Sequence, residues 1–256
     1  MRVAVRVPVA HTEAAAATLL ELAPAGLEEV PGAEDVELAV YAAPDDVPAI
    51  LSAFPTAITS PVEAGWEDAW RAFHRPVEAG GVWIGPPWET PPDGLPAVVI
   101  DPGRAFGTGA HPTTRLCVGL LAGLPRGSLL DVGCGSGVLS LAAARLGFGP
   151  IVAVDVDPVA VDVTRANAAA NGVELEAIVA DGAADALPAA DIAVANVLLR
   201  PVEEILARLG AGTAVTSGYL AGERPAHAGW RHVASATDDG WAADAFRRAA
   251  ASRRSG

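Results

Sequence analysis

The chain has 256 residues, a formal net charge of −14, a hydrophobic fraction of 51% and a charged fraction of 19%. That length supports one sizeable core and a smaller one, and the composition excludes a disordered chain. All seventeen basic residues are arginine, and the acidic surplus excludes a protein whose main task is to grip nucleic-acid phosphates, while suiting a basic protein or small cation as partner.

Residues 2–7 alternate in polarity and predict a half-buried strand. Thr12 is a candidate cap for a helix carrying Ala16, Leu19, Leu20 and Leu22, and Pro31-Gly32 closes the region. Residues 36–41 predict a second strand, Pro44-Asp45-Asp46 a short helix through Ile50, Leu51 and Phe54, and residues 57–62 a third strand. The expectation is a small α+β domain over 1–62. A linker rich in tryptophan follows over 63–96, where Trp66, Trp70 and Phe73 share a helical spacing that suits packing, with ligand contact as the alternative.

Residues 97–100 read as a strand entering a glycine- and hydroxyl-rich loop, 101–114, after which Thr113 or Thr114 begins a helix through Leu116, Leu120 and Leu121. A βαβ unit fills 128–155: an apolar run ending at Asp131, glycines at 133, 135 and 137, an alanine-rich helix, and a second apolar run ending at Asp155. Asp157 and Pro158 open a helix that ends at Asn171-Gly172. Residues 175–180, 192–195 and 213–216 predict further strands and 201–209 a helix. A terminal hairpin pairs 230–236 with 241–246 through Thr237-Asp238-Asp239-Gly240. This alternation predicts an α/β fold over 97–248, a doubly wound, mostly parallel seven-stranded sheet with an antiparallel edge, and a frayed tail at 249–256. Between 218 and 230 no helical pattern stands out.

The glycine turn carries the chemistry. Dinucleotide sites space their glycines as G-x-G-x-x-G over a pyrophosphate. Here the pattern is Asp131-x-Gly133-x-Gly135-x-Gly137, and an acid before the first glycine repels phosphate but welcomes an ammonium. S-adenosyl-L-methionine carries an ammonium and a sulfonium and no phosphate, so Asp131, Gly133 and Gly135 are candidate contacts for it. Asp155, closing the second strand, is placed to accept both ribose hydroxyls. Each has a plainer alternative: an ordinary tight turn for the glycines, a capping acid for Asp131 and Asp155. Asp157 reads as a helix cap, and Asp181 as either an adenine contact or a turn residue. Asn196 ends the fourth strand, where its amide can face the sulfonium and bond a target amine, or merely terminate the strand. His111 is a group of general-base type, although His-Pro before a helix favours a structural role. The glycines of 106–109 make that segment a candidate lid. No His, Cys, Asp and Glu cluster has metal-ligand spacing.

The two cysteines, Cys117 and Cys134, suit neither a disulfide framework nor a four-ligand zinc site, and predict reduced thiols in a cytoplasmic protein. The N-terminus lacks a signal-peptide core and no apolar run of about 18 residues predicts a membrane span.

Asp-Pro-Gly-Arg-Ala-Phe-Gly-Thr-Gly-Ala-His-Pro-Thr-Thr (101–114), Asp-Val-Gly-Cys-Gly-Ser-Gly (131–137), Val-Asp-Val-Asp-Pro (154–158) and Ala-Asn-Val-Leu (195–198) together resemble the ribosomal protein L11 methyltransferase family. The first motif is the most specific, and the resemblance runs from about Trp66 to Arg248, with Trp66-Glu-Asp-Ala-Trp70 and Val82-Trp-Ile-Gly-Pro-Pro-Trp88 inside it. It implies a Rossmann-like methyltransferase fold, cofactor contacts at Thr114, Gly133, Asp155 and Asn196, and methyl transfer to lysine side-chain and N-terminal amines of ribosomal protein L11, gripped by the N-terminal domain. The first sixty residues match poorly, so another protein or a small molecule is an alternative substrate. A nucleoside-binding module without catalysis is a further alternative, and the glycine spacing disfavours a nicotinamide dehydrogenase.

Overall fold

Alternation of Val3, Val5 and Val7 with Arg2, Ala4 and Arg6 makes β1 (Arg2–Pro8) two-faced, and the valine face is covered by α1 (Thr12–Leu22) and α2 (Val47–Ala53). In the computed structural model, which describes residues 1–8, 11–23, 27–32, 35–61, 75–101 and 109–249, β1 joins an antiparallel sheet with β2 (Leu27–Pro31), β3 (Asp35–Tyr41) and β4 (Ile58–Ser60) in the order β2-β3-β1-β4. Val3, Leu19, Leu38, Val40 and Ile50 are fully buried at its core. Strand β2 has no counterpart in the sequence pattern, because its glutamates disfavour strands locally. Pairing compensates: β2 is hydrogen-bonded along β3, and Glu28 accepts from Arg2 Nε at 3.1 Å and Tyr41 Oη at 2.7 Å. The first helix starts at Thr12 behind His11, without a side-chain cap. The chain divides into two compact units, Met1–Phe73 and His74–Gly256.

In the second unit β5 (Val77–Ala79), β6 (Val82–Gly85) and β7 (Ala97–Val99) form a three-stranded sheet. The described part of the expected 63–96 linker is therefore built into this unit, because Val82, Trp83 and Ile84 are at most 4% exposed and gain more from burial than a linker would allow. Trp66, Trp70 and Phe73, like residues 250–256 of the tail, lie outside the described residues.

The large sheet contains β8 (Leu129–Val132), β9 (Ile151–Asp155), β10 (Glu176–Val179), β11 (Ile192–Asn196), β12 (Thr213–Leu220), β13 (Trp230–Asp238) and β14 (Trp241–Arg248), in the order β10-β9-β8-β11-β12-β14-β13. It is a mixed sheet: the pairings from β10 through to β12 are parallel, and β14 pairs antiparallel with both β12 and β13. Leu116, Cys117, Val118 and Leu121 of α3 (Pro112–Ala122), with Leu139, Leu141 and Ala142 of α4 (Val138–Arg145), pack into one apolar layer, and α5 (Pro158–Asn171) adds Ala168. A separate layer gathers Val202, Ile205 and Leu206 of α6 (Leu199–Arg208) with Trp230 and Phe246. Asp239 and Gly240, at φ 47° and 78°, close the β13–β14 hairpin in the left-handed backbone that suits the twist of paired strands.

Candidate active site

The chain leaves β8 toward β9 and β10 and returns to pair β11 on the opposite edge of β8, so the crevice beyond the carboxyl ends of β8 and β11 is where an open α/β sheet takes its ligand. Gly133 begins the turn there at φ 75°, and a Cβ on it would lie 2.5 Å from Val197 Cγ1. Only glycine allows the backbone this close to β11. The turn is held from α5: Thr164 Oγ1 donates to the Gly135 carbonyl at 3.0 Å and Asn167 Nδ2 to that of Ser136 at 2.8 Å. Sequence reasoning passed over both residues; their signal is a pair of polar side chains one turn apart on a helix otherwise buried through Ala160, Val161 and Ala168.

At the end of β9, Asp155 Oδ2 accepts from Gly135 N at 2.9 Å and Oδ1 from Asp157 N at 3.0 Å. Two backbone amides thus orient the carboxylate, and each oxygen keeps lone pairs for a hydroxyl. Asp157 itself caps α5, accepting from Val159 N at 2.8 Å ahead of Pro158. Asp181 closes a turn through Ala183 N at 2.8 Å and is exposed.

Asp131, on the adjoining strand β8, is 1% exposed. Its Oδ2 accepts from Ser140 N at 3.1 Å and Ser140 Oγ at 2.7 Å, while Oδ1 is buried and has no hydrogen-bond partner among the described residues. Burial pushes this carboxyl up to about 6 against the pull of the Ser140 bonds. The two thiols are moved the same way, Cys134 to about 12 and Cys117 further, chiefly by burial, so neither is a nucleophile.

Asn196 closes β11, and its Nδ2 donates to Thr113 Oγ1 at 3.1 Å. The backbone after it is clamped by β12, where Gly218 adopts φ 104° and a Cβ would meet the Val197 carbonyl oxygen at 2.0 Å. Helix α3 begins earlier than the threonines suggested. His111 is its cap, with Nδ1 accepting from Thr113 N at 3.3 Å, and Pro112 takes the first helical position, where a missing N–H costs nothing. Thr114 is 2% exposed in the first turn, and it is Thr113 that touches Asn196. Trp241 meets His111 edge to face with ring centroids 4.9 Å apart, a neighbour with no signal in local sequence. Among the expected site residues, Asp131, Asp155 and Asn196 come from three adjacent parallel strands. Residues 106–108 of the expected lid lie outside the described residues.

Comparison with known proteins adds four findings. A family model described as ribosomal protein L11 methyltransferase matches residues 30–248. A ribosomal protein L11 methyltransferase of Symbiobacterium thermophilum is 40% identical over 189 residues, covering 70% of this chain and 60% of that protein. One of Pelobacter propionicus is 38% identical over 219 residues, covering 77% and 71%. The chain thus spans about 60% of the length of the first of these relatives. The crystal structure of a ribosomal protein L11 methylase from Lactobacillus delbrueckii subsp. bulgaricus superposes with a TM-score of 0.59 at 26% identity, covering 66% of this chain and 95% of that one.

Proposed function

This chain belongs to the ribosomal protein L11 methyltransferase family, and on that premise we propose that it transfers methyl groups from S-adenosyl-L-methionine to lysine side-chain and N-terminal amines of ribosomal protein L11. The observation that carries the reading is the meeting of Asp131, Asp155 and Asn196 near the carboxyl ends of three adjacent strands around a glycine turn. These residues fit the cofactor. The buried Asp131 Oδ1, without a partner among the described residues, complements an ammonium, the amide-oriented Asp155 carboxylate complements a pair of vicinal hydroxyls, and a pyrophosphate would meet two acids. The cofactor contacts proposed are Thr114, Asp131, Gly133, Gly135, Asp155 and Asn196.

When bound, the cofactor supplies an electrophilic methyl, so an N–C bond forms as the C–S bond breaks with its electron pair left on sulfur. The chain's task is then to present a neutral amine in line. A lysine of ordinary pKa, about 10.4, costs roughly 4–5 kcal/mol to hold neutral at pH 7, and enclosure of the amine reduces that cost. Asn196 suits this step. Its amide oxygen orients an amine N–H without the negative charge that would reward the ammonium form. The methylated nitrogen releases its extra proton to water.

Residues 1–62 serve as the substrate-gripping domain and 97–248 as the methyltransferase domain, with the net charge of −14 complementing a basic ribosomal protein in the cytoplasm. No helix among the described residues is long and apolar enough to cross a membrane. Mass spectrometry of purified L11 incubated with the protein and S-adenosyl-L-methionine tests the reading. Mass increments of 14 on lysine and the N-terminal residue are expected; unmodified L11 beside methylation of another protein in a lysate would overturn it.

A further inference from the structure

His111, Thr113 and Asn196 form a hydrogen-bonded chain that the proposed reaction leaves unexplained beyond its last member. Its polarity follows from donor counting. His111 Nδ1 accepts the Thr113 backbone N–H at 3.3 Å, so that nitrogen carries no proton. The Thr113 hydroxyl lies 2.7 Å from the same Nδ1 and, with that nitrogen bare, is the closer of two donors sharing its single lone pair, which spends the hydroxyl's one proton. What Thr113 Oγ1 then offers Asn196 at 3.1 Å is a lone pair, and only the amide nitrogen of Asn196 can use it.

Resting on the methyltransferase reading, we propose that His111 is a positioning residue: acting through the Thr113 hydroxyl, it fixes the Asn196 amide so that Oδ1 is the atom offered to the substrate amine. Among the described residues Oδ1 makes no hydrogen bond, whereas Nδ2 is committed to Thr113. The opposite orientation would harm the reaction twice. It would set the amide oxygen against a hydroxyl whose proton is already engaged, and it would point an NH2 donor at the amine lone pair that must attack the methyl.

The surroundings keep the imidazole in the state the chain needs. Trp241 holds the ring edge to face with an interplanar angle of 69°. Burial and, after it, the positive charge of Arg115 both lower the His111 pKa and so favour the neutral ring, and the two Thr113 donors then decide that Nδ1 is its bare nitrogen. Arg115 is itself fixed between the Ala110 carbonyl and Asp238 on β13.

Thr113→Val removes the relay and leaves the backbone cap on Nδ1 in place. The expected result is a kcat for L11 methylation reduced about 10- to 100-fold, with Kd for S-adenosyl-L-methionine and Tm near the wild-type values. His111→Ala should lose a similar factor in kcat. His111→Asn supplies a non-titrating acceptor at the same cap and should recover kcat to within a few-fold. Unchanged kcat in Thr113→Val, or a loss explained wholly by weaker cofactor binding or lower Tm, overturns the proposal. A readout independent of turnover separates it from the reaction assignment. Nitrogen-15 spectra of the histidine-labelled protein should show His111 protonated at Nε2 alone, and an Nδ1-protonated form overturns the relay whether or not L11 is the substrate.

Discussion

On the outer face of the N-terminal sheet, Arg2 reaches Glu28 at 3.1 Å and Glu37 at 3.0 Å, and Arg6 reaches Glu37 at 3.2 Å. These charges answer one another in or near solvent, and the Glu37 carboxyl is lowered chiefly by its bond to Arg2. In the C-terminal unit Asp131 is buried with one oxygen unpartnered among the described residues, and its carboxyl pKa is raised rather than lowered. Asn196 likewise keeps an acceptor that the described residues leave unused. Bonding capacity on the N-terminal sheet is consumed by the fold. Around the glycine turn it is held in reserve at a cost in stability, and that asymmetry is what separates a ligand site from a solvated face.

The contrast can be broken most sharply at Asp155. Asp155→Ala removes the acceptor proposed for two hydroxyls and the anchor of the turn. A loss of about 3 kcal/mol, roughly 100-fold in Kd for S-adenosyl-L-methionine, is expected by calorimetry; a Kd within a factor of three of wild type would remove Asp155 from the site.

Asp131 comes next. Its folded pKa, about 6, lies above the ordinary aspartate value of about 3.9, so the folded chain holds the proton more tightly and ionisation opposes folding. Stability from this group is present below the unfolded pKa and is lost as pH rises through about 6. Asp131→Asn does not titrate, so between pH 4 and 7.5 its unfolding free energy should gain on that of the wild type by about 2 kcal/mol in urea titrations. Parallel curves for the two proteins would mean that the buried acid has an ordinary pKa.

The smallest effect belongs to the N-terminal sheet. Glu37→Gln should cost under about 1 kcal/mol, shrink further in 1 M salt, and leave Kd for the cofactor unchanged. A loss of several kcal/mol there would erase the contrast between the two regions.

Much of the large sheet was legible because β8, β9 and β11 are short, mostly apolar runs and turn signals punctuate the chain: Asp157-Pro158 opens α5, Gly172 ends it at φ 62°, and Asp239-Gly240 folds the hairpin. Strand β2 was not legible, since its glutamates oppose strand formation and only the partners β3, Arg2 and Tyr41 recover it. The start of α3 is hidden in the sequence for a related reason. Threonine is the commoner cap, yet an imidazole whose Nδ1 is free accepts the same amide. Trp83 also escaped: a tryptophan amid prolines reads as linker until a neighbouring strand, β7, gives it a sheet to join.

The βαβ unit, the glycine turn and the identity of the acids at 131 and 155 are written into the residue order, because strand ends, glycine spacing and charge are local properties. Tertiary structure decided which of those acids is solvated and which is buried at 1% exposure. It also brought Thr113, His111 and Trp241, from α3, its cap and the last strand, to the end of the strand that carries Asn196. Burial and hydrogen-bond direction depend on partners far apart in the chain, and no spacing along the sequence encodes them.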